Sequence, residues 1–465
     1  MNDTNSSKRV LGIFYLTTMG IAAIFSLRNL PITAVYGLSS VTYYIAAAIL
    51  FFIPTALVCS QLTTTWPQAG GLYAWVKQAL GPNFGFLAIW FEWINTVCSF
   101  PMMLGFILFT LIYPYAHGIA NNRFYEFGFM VAIFWFLTIL NFFGIKTSSR
   151  FSAAGVILGT LLIAALIITL GVIWLSTGHP SQIHFTAHAL IPTFQLGTLA
   201  FLITMINSVS GIQVIAFHSQ ETQCPRRNYP RAAFFIVGLI LVLSILGTLS
   251  IAVVTPAHSG SLIGGIVKSL TTFLGAFHLA WLVPMLVLLI AFGVIAEINA
   301  WVIGPSKGML AAAEAGQLPK IFARKNKHGV PTTILLTQGI IGTLLACAYI
   351  YMPSVNSAYW LLSDLTAEFT VMMWILVFIS VIVLYYKHPP QDGHYKIPGG
   401  IIGLWLTASV GILVCITVLI FSYIPPINVI HSNSVMKYEI VLLGGLILFS
   451  ILPLLTTIFK SRKPT

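Results

Sequence analysis

The chain has 465 residues, 58% of them hydrophobic and only 7% charged, with a mean hydropathy of +0.94. A soluble globular domain carries about 25% charged residues, so this composition excludes one and indicates an all-α membrane protein. The formal net charge of +12 invites a nucleic-acid partner, but the basic residues collect where cytoplasmic loops are expected, which argues against one.

At roughly 20 apolar residues per span, the chain accommodates about twelve helices in a single transmembrane domain, residues 1–465. Lys8-Arg9 leads into an apolar segment that is too long, and lacks the small-residue cleavage site, for a signal peptide. Helix 1 is therefore expected from about Leu11 to Leu38, interrupted near Ala22 to Asn29, with Arg28 inside it. Helix 2 follows from about Val41 to Thr63. The segment Thr65 to Lys77, too polar to span and rich in aromatics, is expected to lie at the cytoplasmic interface. Helix 3 starts near Phe84 and carries Glu92. Arg123 and Glu126 precede helix 4, which ends near Gly144, and helix 5 runs from about Phe151 to Leu175. His179, His184 and His188 in the next loop lack the carboxylates or cysteines of a metal site, and no metal is expected.

Leu196 to Ile206 carry helix 6 into Asn207-Ser208-Val209-Ser210-Gly211, where small polar residues and a glycine replace the leucines. Inside a bilayer every backbone N–H and C=O needs a partner, so irregular backbone survives only beside a cavity or ligand. The stretch reads as a broken helix at a binding site, the mark of secondary transporters; a small-residue packing face is the alternative. Pro225 and Pro230 bracket a basic exit, and helix 7 runs from about Ala232 to Val254. Helix 8, from about Leu279, carries Glu297 in its apolar body and reaches Lys307. After the basic loop Lys320 to Lys327, helix 9 follows Pro331, and helix 10, about Tyr359 to Tyr386, holds Asp364 and Glu368 one turn apart. Helices 11 and 12, about Ile402 to Ile424 and Tyr438 to Phe459, look like scaffold.

With twelve spans and the N-terminus inside, 18 of the 22 basic residues fall in cytoplasmic segments, as the positive-inside rule requires. Both termini are then cytoplasmic. Helices 1 and 6 are five spans apart and both interrupted, the pattern of a five-plus-five inverted repeat, roughly residues 11–175 and 193–386, with a midplane site. The five cysteines have no paired spacing and read as small buried hydrophobes. No Walker-type glycine run or nucleophile–base set is present, so neither ATP-driven pumping nor catalysis is expected, and no cofactor is implied. His218 and Glu221 read as a local hydrogen-bond pair.

Intramembrane charges are costly and mark function by default, which singles out Glu92, Glu297, Asp364 and Glu368; a structural buried pair is the alternative for each. Glu297, without a basic neighbour on its own helix, is a candidate proton or conformation switch. Arg28 and the Asp364/Glu368 pair reach similar depths by turn counting, so an outer gate pairing Arg28 with one of them is expected; a static strut is the alternative.

Four blocks give a family resemblance: Gly70 to Val76 with Leu80-Gly81-Pro82; His218 to Glu221 through Asn228-Tyr229-Pro230; Ala296-Glu297 through Lys307-Gly308-Met309 to Pro331; and Lys387-His388-Pro389 with Ile397 to Gly400. In these the chain resembles the amino acid/polyamine/organocation (APC) permeases, and among them the bacterial glutamate/GABA antiporters. The resemblance implies a LeuT-like fold of twelve helices in the bacterial inner membrane, amino acids as substrates, and exchange by alternating access. It places the substrate carboxylate at the backbone of Ala23, Ile24, Phe25 and Ser26, and the amino group at Asn207, Ser208, Val209, Ser210 and Gly211. From their own positions in the spans Arg28, Glu297, Lys307, Asp364 and Glu368 are the gating or proton-coupling candidates. In the family, glutamate exchange serves acid resistance, because cytosolic decarboxylation consumes a proton, so acid stimulation is one implied property.

Three positions depart from the pattern. Gln213 stands where many relatives have Glu, Asn207 where arginine-exchanging relatives have an aromatic gate, and Arg28 has no counterpart. The chain ends at Thr465, just after helix 12 and without the C-terminal plug of some relatives, so a pH gate is expected within the helices. The function expected is glutamate/GABA-type antiport. The rivals are a proton-coupled importer of another amino acid and a sensor on a transporter fold.

Overall fold

In the computed structural model the described residues are 12–67, 70–115, 123–192, 205–256, 264–352, 355–389, 393–423 and 435–461. The first part of helix 6, Leu196 to Thr204, and Lys8, Arg9, Arg462 and Lys463 lie outside them, as do the side chains of Glu221 and Lys437. Nine helices among the described residues are long and apolar enough to cross a membrane, and Ile13–Ile24 and Tyr438–Pro453 are shorter apolar helices. The helices keep the numbers of the expected spans.

Helix 1 is broken as its sequence suggests: Ile13–Ile24 ends, Phe25 is extended, and Asn29–Ala34 resumes. Helix 2 spans Ser39–Thr65 and helix 3 Pro82–Tyr115. Between them Leu72–Leu80 forms a short helix whose Leu72, Trp75 and Val76 are buried. Leu72, Trp75 and Val76 stand at helical spacing, and the short helix they belong to packs this part of the expected interfacial segment against helices 3 and 10. Helix 7 begins at Pro225, seven residues before the expected start near Ala232, since Pro is tolerated in a first helical turn. A further helix, Gly265–Ala276, has no counterpart among the expected elements. Its 12 residues are too few to span, but Ile266, Leu270, Phe273 and Leu274 bury one face.

Helix 8, Val283–Glu314, is central. Gly159, in a π turn of helix 5 at Val156–Leu161, lies so close that a Cβ there would sit 2.3 Å from the Gly293 nitrogen. Such small-residue contacts let two backbones meet where no hydrophobic effect drives helices together. The same crossing is pinned by Asn299: its Nδ2 donates to Ser148 Oγ at 2.7 Å and Ser152 Oγ at 2.8 Å, and its Oδ1 accepts from Asn141 Nδ2 at 2.9 Å. Helices 4, Arg123–Phe142, and 5, which starts at Ile145 and ends at Ser176, are thereby locked to helix 8 behind the face that bears Glu297. On the other side, Thr33 and Thr248 hydroxyls meet at 2.7 Å with Tyr44 alongside, joining the second half of helix 1 to helices 2 and 7. Along helix 11, Ile402, Leu406, Leu413 and Ile420 are exposed, an apolar stripe suited to lipid.

Candidate functional site

Two interruptions meet at one point. Helix 6 is helical at Met205–Ser208, breaks through Val209, Ser210 and Gly211, and continues as a 3-10 helix, Ile212–Glu221. Ten residues of 3-10 helix is long, since runs beyond about four are uncommon. Gly211 has φ +130°, and a Cβ there would lie 2.9 Å from Ile24 Cγ1 and 3.1 Å from the Ala23 carbonyl. Only glycine lets the break of helix 6 rest on the break of helix 1. The amides of Ser26, Leu27 and Arg28 donate to no backbone carbonyl among the described residues. The Ala23 carbonyl, freed by the same break, accepts Trp301 Nε1 at 3.1 Å.

A cavity of about 60 Å³ opens beside this junction, several times the roughly 10–15 Å³ that one water needs. Helix 1 contributes Ala23, Ile24 and Arg28; helix 6 contributes Asn207, Ser208, Ser210 and Gln213; helix 8 contributes Glu297 and Trp301. Of the backbone residues expected to hold substrate, Phe25, Ser26, Val209 and Gly211 shape the breaks without lining the cavity. Helix 3 adds Asn95, Thr96 and Ser99, and helix 10 adds Tyr359, Ser363, Thr366 and Thr370. So polar a wall inside an apolar bundle suits a small polar solute.

The charges are arranged differently from the expected outer gate. Arg28 Nη1 lies 3.3 Å from Glu297 Oε1, and Ser26 Oγ donates to Glu297 Oε2 at 3.2 Å. Arg28 therefore pairs with Glu297, not with Asp364 or Glu368. Turn counting along helix 10 does not fix the direction in which its carboxylates face. At about 100° per residue, Asp364 and Glu368 fall on the face opposite Tyr359, Ser363, Thr366 and Thr370. Tyr438 donates a hydrogen bond to Asp364, and Ser422 Oγ donates to Glu368 Oε1 at 2.9 Å, tying helix 10 to helices 12 and 11. Lys307 is also away from the cavity. Ten residues beyond Glu297 it has advanced roughly 15 Å along the helix, and its Nζ donates to His218 Nδ1 at 3.2 Å.

Charge in an apolar span marks Glu92 from sequence alone, but not its surroundings. Glu92 is fully buried and accepts Gln213 Nε2 at 3.1 and 3.3 Å on its two oxygens. This joins helix 3 to the first turn after the helix 6 break. A signal was present: Glu92, Asn95, Thr96 and Ser99 stand three and four residues apart on one helical face, a polar stripe in an apolar helix. The helix 10 set has the same spacing.

The amino acid permease family matches this chain over residues 11–446. A glutamate/gamma-aminobutyrate antiporter of Lactococcus lactis is 33% identical over 451 residues, covering 96% of this chain and 89% of that protein. A transporter of uncharacterised activity from Legionella pneumophila is 41% identical over 449 residues, 97% of each chain. A probable agmatine/putrescine antiporter of Lactococcus lactis is 24% identical over 432 residues, 90% of this chain and 89% of that one. With its long apolar helices and a match across nearly its whole length, the chain is a multi-pass membrane protein and belongs to the amino acid permease family of the APC superfamily, whose members here are transporters and not enzymes.

Proposed function

We propose that this protein is a secondary amino-acid antiporter of the bacterial inner membrane that exchanges glutamate for 4-aminobutyrate (GABA) by alternating access. It carries twelve helices in a LeuT-like, five-plus-five inverted repeat, with both termini cytoplasmic. The observation that carries this reading is the polar cavity between two broken helices, with Arg28 and Glu297 in its wall. The free amides after Phe25 receive the α-carboxylate, since a helix N-terminus presents unpaired donors and a positive dipole to an anion. The carbonyls and hydroxyls of Asn207 to Ser210 receive the amine. Arg28 and Glu297 act as the gating pair, and Lys307, Asp364 and Glu368 hold the moving helices to their neighbours.

Proteoliposomes test the reading. Labelled glutamate should accumulate in vesicles loaded with GABA or glutamate and hardly at all in empty ones. Equal uptake into empty vesicles under a proton gradient would instead mark a proton-coupled importer.

A further inference from the structure

Arg28 is 8% exposed and lines the cavity, yet its hydrogen-bonding capacity is largely unspent. Its Nε and Nη1 make no hydrogen bond of good geometry, and Nη1 approaches Glu297 Oε1 at 3.3 Å as an ion pair. Tyr359 takes part of the guanidinium. Glu297 neutralises Arg28 but is itself engaged by Ser26. A buried cation with idle donors is expensive. A guanidinium is a planar fork that matches a carboxylate in two-point contact, so the idle donors suit a carboxylate entering the cavity. The helix 6 wall has the opposite character. Gln213 is 1% exposed with Oε1 unpartnered, and Ser210 Oγ is buried and unpartnered; both are acceptors suited to an ammonium group.

Glutamate and GABA share a fixed pair of charges, an amine and a carboxylate joined through three carbons. They differ by the α-carboxylate, which decarboxylation removes. We propose that Arg28 is the specificity-determining anchor for the carboxylate common to both, with the amine held at Gln213 and the helix 6 break. The inference rests on the exchange reading above and deepens it. One site then grips both substrates through the same two ends, as an exchanger must when the returning solute resets the carrier. The α-carboxylate of glutamate remains free for the helix 1 amides. Glu297 competes with the incoming carboxylate for Nη1, which keeps the anchor neutralised between substrates.

The test is counterflow in proteoliposomes with glutamate, GABA and glutamine, whose side-chain amide carries no charge. Three variants are compared with the unaltered protein: Arg28→Lys, Glu297→Gln, and Arg28→Gln with Glu297→Gln, which removes both charges and leaves neither buried alone. The expected result is that the double variant loses apparent affinity for glutamate and GABA together, by tenfold or more, while its preference for glutamate over glutamine collapses. Arg28→Lys, which keeps the charge and loses the fork, should fall between. Glu297→Gln should bind glutamate more tightly. Loss of glutamate with GABA unaffected would move Arg28 to the α-carboxylate and overturn the proposal. Equal loss of all three solutes, or no change, would also overturn it by making the pair a strut. If the unaltered protein exchanged neither glutamate nor GABA, the exchange reading would fail first and take this proposal with it. Exchange intact but insensitive to Arg28 sinks the proposal alone.

Discussion

Glu297 Oε1 stands 3.3 Å from Arg28 Nη1, joining the break of helix 1 to the middle of helix 8. Both residues are buried, so losing one partner strands the other charge at a cost of order 3 kcal/mol, whereas losing both charges costs far less. Arg28→Met and Glu297→Gln should each lower the apparent melting temperature in detergent. The charge-free double variant should recover most of the loss, and additive losses would mean the two side chains do not depend on each other.

Gly211 is the point where the two breaks touch. Gly211→Ala puts a Cβ 2.9 Å from Ile24 at a φ of +130°, a strain of about 1–3 kcal/mol. Exchange should fall sharply, because the methyl group pushes the helix 1 break out of register with helix 6. Full exchange by the Gly211→Ala variant would show that the contact is not needed in the working cycle.

The helix 5–8 crossing gives a contrast within one molecule. A Cβ at Gly159 would lie 2.3 Å from backbone atoms of helix 8, whereas one at Gly128 or Gly444 meets nothing within 4 Å. Gly159→Ala should reduce the yield of folded protein in the membrane. Gly128→Ala and Gly444→Ala should leave yield and melting temperature unchanged or slightly raised, since alanine is the better helix former. Fluorescence-detected size exclusion of the three reports the difference.

Gln213 satisfies Glu92 with one amide group. Gln213→Leu leaves a buried carboxyl without that donor and should cost at least about 1–3 kcal/mol, read as a lowered melting temperature. Glu92→Gln keeps a hydrogen-bonding side chain and should be milder. The reverse order would place the pair outside the support of the helix 6 break.

What can be read from the sequence depends on whether the signal is local. The break in helix 6 is legible because Asn207 to Gly211 interrupts a leucine run. The break in helix 1 is legible because Arg28 and Asn29 intrude on an apolar one. For Asp364 and Glu368 the turn count does not give the side: only the polar stripe Ser363, Thr366 and Thr370 says which face meets the cavity. The Arg28–Glu297 pair spans 269 positions of sequence, and no spacing rule reaches that far. Gly265–Ala276 escapes a sequence reading because a helix too short to cross a bilayer gives no hydropathy signal.

Whether the two helix breaks form the substrate site is examined directly by a structure determined in a lipid nanodisc with glutamate bound. The predicted result is density in the cavity between Ala23–Arg28 and Asn207–Gln213, with a carboxylate against the Arg28 guanidinium. Glutamate bound elsewhere, with both breaks packed shut and empty, would contradict it.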